Sequence, residues 1–239
     1  MPLYNEVQRQ GEVMRTVAVV IPTLNEERSI GKVIDDVPVA DLLRNGLETS
    51  VYVIDGQSTD NTRAIAVQKG AQLIIEEQRG KGSAIQTAFQ SITADYAIMV
   101  DGDDTYPIEM ATEMTRLLQT NDVVIGSRLK GTIEPGAMTR LNIVGNMLLS
   151  LLARVLFGTR ISDVCTGFWG YRSAAIRRLE LAARGFEIEA DMFGECVRNG
   201  LRIAEIPITY RAREDEPKLA SLRDGLKIGL FLCKRRLQR

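Results

Sequence analysis

Ile98-Met99-Val100-Asp101-Gly102-Asp103-Asp104-Thr105 is an apolar run that ends in three carboxylates packed within four positions. A buried strand running into a turn is the simplest reading of such a switch. Carboxylates this close repel one another and raise each other's pKa unless something positive sits among them, and a divalent cation is the economical answer. Oxygen donors at this density suit Mg²⁺ or Mn²⁺. The plainer alternative is a polar turn in which Asp103 or Asp104 caps the following helix.

Outward from this stretch the same switch recurs. Val17-Ala18-Val19-Val20-Ile21 is a β-branched run of the kind buried on both faces of a sheet, and Pro22-Thr23-Leu24-Asn25-Glu26-Glu27 ends it. Ser50 to Ile54 stops at Asp55-Gly56-Gln57-Ser58-Thr59-Asp60, Ala71 to Ile75 precedes Arg79-Gly80-Lys81-Gly82, and Asp122 to Gly126 runs into Ser127-Arg128. Helical patterns follow over residues 29–37, 61–70, 83–91 and 107–120. Five strands with helices between them and short connections predict an α/β fold, a mostly parallel sheet covered by helices on both faces. Ligands of such sheets sit beyond the carboxyl ends of the strands, and every polar cluster named here falls on that edge. The coincidence favours a binding site over a plain turn at Asp101 to Asp104.

Composition narrows the chemistry. The 239 residues need only one core, and a net charge of −1 gives no basic field to attract nucleic acid. Histidine is absent, so carboxylates, Arg and Lys must carry the reaction. Three scattered cysteines, Cys165, Cys196 and Cys233, suit a reducing compartment better than a disulfide framework or a zinc site. Met1 to Gln10 is polar, without the pattern of a signal peptide. The apolar stretch Leu141 to Gly158 is interrupted by Asn142, Asn146, Ser150 and Arg154 and falls short of the roughly 20 apolar residues of a spanning helix. Walker and dinucleotide-binding glycine patterns are missing.

Pro22-Thr23-Leu24-Asn25-Glu26, Val53-Ile54-Asp55-Gly56-Gln57-Ser58-Thr59-Asp60, Gly80-Lys81-Gly82 and Asp101-Gly102-Asp103, in this order, closely resemble the blocks of the inverting family 2 glycosyltransferases, and within them the dolichyl- or polyprenyl-phosphate sugar synthases. The resemblance implies a single GT-A domain, here residues 16–218, between an N-terminal arm (1–15) and a C-terminal amphipathic helix with a basic tail (219–239). It further implies that Pro22, Leu24, Asn25, Glu26 and Asp55 hold base and ribose of a nucleotide sugar. Lys81 lies near the nucleotide by similarity, and Asp101, Gly102 and Asp103 border the ribose and diphosphate, with Asp101 and Asp103 on the Mg²⁺ or Mn²⁺. The physical need is independent of the family: a nucleoside diphosphate leaving group is highly anionic, and a divalent cation stabilises the charge that develops on it.

The second half bears on the acceptor. Arg128 and Arg140 flank the apolar stretch Leu141 to Gly158, a combination that suits a lipid phosphate, with the plainer alternative a surface Arg before an ordinary core helix. By similarity both match phosphate-binding arginines, and Arg213 and Lys218 match cations of a late loop that approaches the phosphates. Val144 stands where relatives often have Ser, so no hydroxyl contact carries over. Asp163 to Phe168 resembles a block that lines the sugar pocket; Trp169 is a sugar platform or a buried anchor. Glu189 stands where a carboxylate serves as base in relatives that glycosylate hydroxyls. A lipid phosphate is already an anionic nucleophile, so Glu189 is expected rather to orient the sugar. Ile203 to Tyr210 reads as an edge strand because of Pro207, and the basic end of the C-terminal helix favours either an anionic membrane surface or packing on the core.

The expectation is thus a metal-dependent hexosyltransferase, peripheral on the cytoplasmic face of the membrane. It would move glucose or N-acetylglucosamine from a UDP-sugar, or else mannose from GDP-mannose, to dolichyl or polyprenyl phosphate. Two alternatives stand beside it: the same donor chemistry on a soluble hydroxyl acceptor such as a sugar or glycerate, and a non-catalytic nucleotide-sugar-binding protein.

Overall fold

A computed structural model of the chain describes residues 14–213 and 221–238. The β-branched run from Val17 forms the middle of β1 (Arg15–Thr23), buried on both faces from Val17 onward. Val17, Val19 and Ile21 face one apolar layer, while Val20 packs with Ile54, Ala84 and Ala88 on the other. The first layer is completed by α1 (Ile30–Asp35), α2 (Val39–Arg44), α3 (Thr62–Gln68) and α5 (Ala111–Leu117). On the other side lie α4 (Lys81–Ser91), α6 (Arg140–Phe157), α7 (Ser173–Ile176), α8 (Ile188–Arg198) and α9 (Ser221–Leu237).

The strands β1, β2 (Leu47–Asp55), β3 (Gln72–Ile75), β4 (Tyr96–Met99), β5 (Val123–Ile133), β6 (Trp169–Arg172) and β7 (Ile203–Tyr210) form one seven-stranded sheet in the order β3-β2-β1-β4-β6-β5-β7. Only β6 runs against its neighbours β4 and β5; every other pairing is parallel. The α/β fold with a mostly parallel sheet is therefore as expected, and β7 with Pro207 lies at the edge. After β1 the chain adds strands on one side and then returns to β4 on the other side of β1. This reversal opens a crevice at the carboxyl ends of β1 and β4, the place where open sheets bind ligands.

Four elements depart from the sequence expectation. The short helices α2 and α7 and the strand β6 are absent from it, and β5 continues to Ile133, so Ser127 to Gly131 lie in a strand rather than a turn. A register shift between Ser127 and Thr132 marks that extension. Gly131 lies so close to β7 there that a Cβ would stand 1.8 Å from the Ile208 carbonyl oxygen.

Helix α6 meets the protein through a mixed face: Ala153 and Phe157 are buried in the core beside Ser150, and Leu149, Leu152 and Leu156 pack against the same cluster. Asn146 and the buried Ser150 face the protein: Asn146 Oδ1 lies 3.4 Å from Arg128 Nη2, and Ser150 Oγ accepts from the Val164 amide at 3.1 Å. Leu141, Val144, Leu148, Leu151 and Val155, spaced along one helical face, are exposed. Against the sequence expectation that its polar interruptions leave it short of a span, the helix is by length and composition long and apolar enough to cross a membrane, and only 17% of it is buried in the protein, unlike a core helix. Thr139 Oγ1 caps its start by accepting from the Asn142 amide, and Gly158 ends it in the left-handed conformation. Helix α9 packs against it: Leu149 and Leu152 border Gly229. The inner face of α9 buries Ile228 and Leu232, while Leu226, Leu230 and Leu237 are exposed.

Candidate functional site

The loops after β1 and β2 hold each other. Asn25 Oδ1 accepts from the Thr59 amide at 2.8 Å, the Asn25 amide donates to Ser58 Oγ, and the Glu26 amide donates to Thr62 Oγ1. The positive φ of Asn25, 53°, is a conformation that Asn tolerates better than most residues. Pro22 and Glu26 are buried at the base of this loop and Leu24 is exposed at its rim. Ser29 Oγ donates to the Gly102 carbonyl at 2.7 Å, tying in the β4 loop. Gly102 has no room for a side chain, since a Cβ would meet Thr23 Cγ2 at 2.9 Å.

Asp55 ends β2 fully buried. Its Oδ2 accepts from the amides of Gln57 and Ser58 and from Arg63 Nε at 2.6 Å. Its Oδ1 is buried without a hydrogen-bond partner among the described residues. A buried carboxylate oxygen left in this state is costly, and a donor group on a ligand would relieve it.

Beyond β4 the three carboxylates diverge. Asp101 Oδ1 pairs with Lys81 Nζ at 2.5 Å, and the same ammonium pairs with Glu189 Oε1 at 2.6 Å. Asp103 Oδ1 accepts from Thr105 Oγ1, and its Oδ2 pairs with Arg213 at 2.8 Å. Asp104, at φ 57°, turns away to Lys32 and Arg211. The positive charge demanded by three adjacent carboxylates is thus supplied by four side chains of the protein itself. Burial raises the Asp101 carboxyl above its ordinary value although Lys81 pulls it back, and burial raises Glu189 in the same way. Burial works to lower Lys81, but the Asp101 and Glu189 carboxylates outweigh it and hold the ammonium well above its usual range.

Asp101 is also fixed from β6. The antiparallel β6 starts at the same sheet edge, with Trp169 opposite Met99. The preceding Gly167 is so close that a Cβ would stand 2.3 Å from Asp101 Oδ2, and its amide donates to Tyr106 Oη at 2.7 Å. Trp169 itself is fully buried and stacks on Tyr171, so of its two readings the buried anchor is the one observed.

The arginines occupy different surroundings. Arg128, expected near an acceptor phosphate, is buried, with Nε and Nη2 both engaged by the two oxygens of Asp163 and its guanidinium 5.3 Å from the centre of the Tyr210 ring. Much of its hydrogen-bonding capacity is therefore committed inside the protein. Arg140 stands exposed at the first position of α6. Arg213 faces Asp103 rather than the α6 side, and Lys218 lies outside the described residues. Pairing unseen in the sequence includes Arg63 with Asp55, Asp163 with Arg128 and Gly167 with Asp101. Of these, Asp163 and Gly167 lie inside the quoted Asp163 to Phe168 block and so carried a local signal.

Asp101 and Asp103 are hard oxygen donors two residues apart, of the kind Mg²⁺ or Mn²⁺ takes, and in this structure they pair with Lys81 and Arg213, cations that a bound metal would displace or replace. Mg²⁺ is commonly bound by one or two carboxylates, with phosphates and water supplying the other positions. Among the described residues no cluster of three or more His, Cys, Asp or Glu surrounds that pair.

Residues 18–180 match the model of glycosyl transferase family 2. The chain is 37% identical over 223 residues to glycosyltransferase AglJ of Haloferax volcanii, covering 92% of this chain and 71% of that protein. It is 35% identical to a dolichyl-phosphate hexose transferase of the same organism, covering 91% and 92% of the two chains. Among solved structures, glucosyl-3-phosphoglycerate synthase of Mycobacterium tuberculosis in complex with Mn²⁺, UDP and glucosyl-3-phosphoglycerate superposes with a TM-score of 0.72 over 98% of this chain and 81% of that one. At 24% identity this last likeness speaks for the fold alone.

Proposed function

The chain belongs to glycosyl transferase family 2, and from that membership we propose that it transfers a hexose from a nucleotide sugar to a dolichyl or polyprenyl phosphate at the cytoplasmic face of a membrane. The observation that carries the acceptor is α6: its Asn146 reaches Arg128, Arg140 opens it, and its outer face is apolar and exposed. Every charged residue of α6 and α9 is basic except Asp224, in a chain whose net charge is −1. Apolar side chains beside concentrated basic charge suit the interface of an anionic bilayer. The favoured donors are UDP-glucose and UDP-N-acetylglucosamine, with GDP-mannose the next choice.

In this reading Asn25 and Asp55 receive the nucleoside, the partnerless Asp55 Oδ1 accepting from the base or ribose. Asp101 and Asp103 hold Mg²⁺ or Mn²⁺, which when bound draws charge from the departing diphosphate. Lys81 and Arg213 add cationic charge on the same side. The acceptor is brought in from the α6 side by Arg140, with Arg128 contributing field more than contact. A phosphate oxygen of the lipid forms the new bond to the anomeric carbon as the bond to the diphosphate breaks, with inversion, and the electron pair leaves with the nucleoside diphosphate. The nucleophile is already anionic, so Glu189 serves to seat Lys81 and the sugar rather than to remove a proton.

Incubation with radiolabelled UDP-sugars and Mn²⁺ tests the reading. Label is expected in an organic-extractable, mild-acid-labile product when polyprenyl phosphate vesicles are present. Label appearing instead on 3-phosphoglycerate would favour the soluble acceptor and overturn the lipid assignment.

A further inference from the structure

The Gly80-Lys81-Gly82 loop does not hold itself. A Cβ on Gly80 would stand 2.1 Å from the Arg184 carbonyl oxygen, and one on Gly82 would stand 2.3 Å from that of Ala183. The Arg184 carbonyl accepts from the Ser83 amide, and the Ala183 carbonyl accepts from Gln86 Nε2 at 2.7 Å. The segment 182–184 is thus a strap lying on the first turn of α4, and it decides where Lys81 can be.

The strap is itself held from behind. The amides of Ala182 and Ala183 both donate to Asp191 Oδ2 at 2.7 Å. Asp191 is fully buried on α8, and its other oxygen pairs with Arg235 of α9 at 2.5 Å. Arg235 also donates to the Glu180 carbonyl at 2.8 Å, stands 3.3 Å from Glu195 Oε1 and lies over the Phe231 ring. Glu189, one of the two carboxylates that hold Lys81, is on the same helix two residues before Asp191. A buried carboxylate that neutralises a cation on one side and orders two backbone amides on the other is a fixed point for both neighbours.

We propose that Arg235 is a positioning residue: through Asp191 it fixes the 182–184 strap, and through the strap it keeps Lys81 seated between Asp101 and Glu189. The role of this seat in sugar transfer rests on the reading of the previous subsection; the positioning itself does not. Its signature is selective exposure of one lysine, far in sequence from the altered residue.

Competitive labelling of the folded full-length protein with acetic anhydride, read lysine by lysine by mass spectrometry, tests it. In the wild type Lys81 reacts slowest relative to Lys32 and Lys69. In Arg235→Gln its relative rate rises about fivefold or more, the ratio that 1 kcal/mol of lost restraint makes. Arg235→Lys, which keeps a cation, restores slow labelling, and Leu232→Ala, which loosens α9 without touching the ion pair, lowers the melting temperature but leaves the Lys81 ratio unchanged. Should Arg235→Gln fail to fold, Asp191→Asn, which keeps the shape and removes the charge, is expected to expose Lys81 in the same way. An unchanged Lys81 rate in folded Arg235→Gln and Asp191→Asn, or an equal rise in Leu232→Ala, overturns the proposal. Wild-type protein that binds neither UDP- nor GDP-sugars would instead overturn the donor reading and leave the labelling result standing.

Discussion

The crevice at β1 and β4 and the helix pair α6 and α9 solve opposite problems. In the crevice, polar and charged groups have partners at every turn: Asn25 with Ser58 and Thr59, Asp101 with Lys81, Asp103 with Arg213. On the helix pair, Leu148, Leu151, Leu226 and Leu230 stand exposed without an apolar cover. In the proposed function the first region receives a small, polyanionic ligand, and its dipoles and charges are set before anything binds. In the same proposal the second meets a membrane surface, which would cover the contiguous apolar face it leaves exposed. Arg128 and Asp163 form the seam, one element touching α6 and the other preceding the Gly167 turn against Asp101.

Changing one region while sparing the other separates these roles. Asp103→Ala is expected to bring sugar transfer to background on any acceptor, with the melting temperature and vesicle binding retained; full activity would remove the metal assignment. The next largest effect belongs to the seam. Asp163→Ala leaves Arg128 buried without its counter-ion and should cost about 3–5 kcal/mol of stability, read by chemical denaturation. A loss under 1 kcal/mol, of the size seen for exposed pairs, would mean that Arg128 is far more solvated than its burial indicates. Gly167→Ala forces a methyl group against the Asp101 carboxylate and should lower transfer about 10- to 100-fold with vesicle binding untouched. Asn25→Ala removes the bond to the Thr59 amide and should cost about 1 kcal/mol, while weakening nucleotide binding more than vesicle binding.

The two regions also differ in how far their sequence discloses them. A β-branched run followed by a polar turn is a local signal, so β1, β2 and β4 and the clustering of Asn25, Asp55 and Asp101 on one edge could be read directly. The weaker signals failed. β6 is only four residues long and contains Gly170, and its place between β4 and β5 depends on partners distant in the chain. The continuation of β5 through Arg128 follows from pairing with β7, which no local pattern in Ser127 to Gly131 discloses. The stripe Leu141, Val144, Leu148 is visible as a period, but which side of a helix meets the protein is decided by what it packs on. Here Asn146 and Ser150, which look like interruptions of a core helix, face inward together with the buried Ala153 and Phe157. The ion pairs of Arg128 and Arg235 span 35 and 44 residues, beyond any spacing rule. Asp104, outside the Asp101 and Asp103 pair implied for the metal, turns away from Asp101 by pairing with Lys32 and Arg211, contacts that no spacing in the sequence discloses.

The central claim, a rigid donor crevice joined to a lipid-facing helix, is tested most directly by Leu148→Gln combined with Leu151→Gln. Both side chains are exposed, so the fold should be kept, while burial of each leucine in a bilayer is worth about 1.5–3 kcal/mol. The measurement is transfer of labelled sugar to long-chain polyprenyl phosphate in anionic vesicles beside transfer to a short, water-soluble prenyl phosphate. The account predicts a loss of about 100-fold or more on vesicles, from the summed leucine terms, and unchanged transfer to the soluble acceptor. Equal rates on both acceptors, in variant and wild type alike, would contradict it.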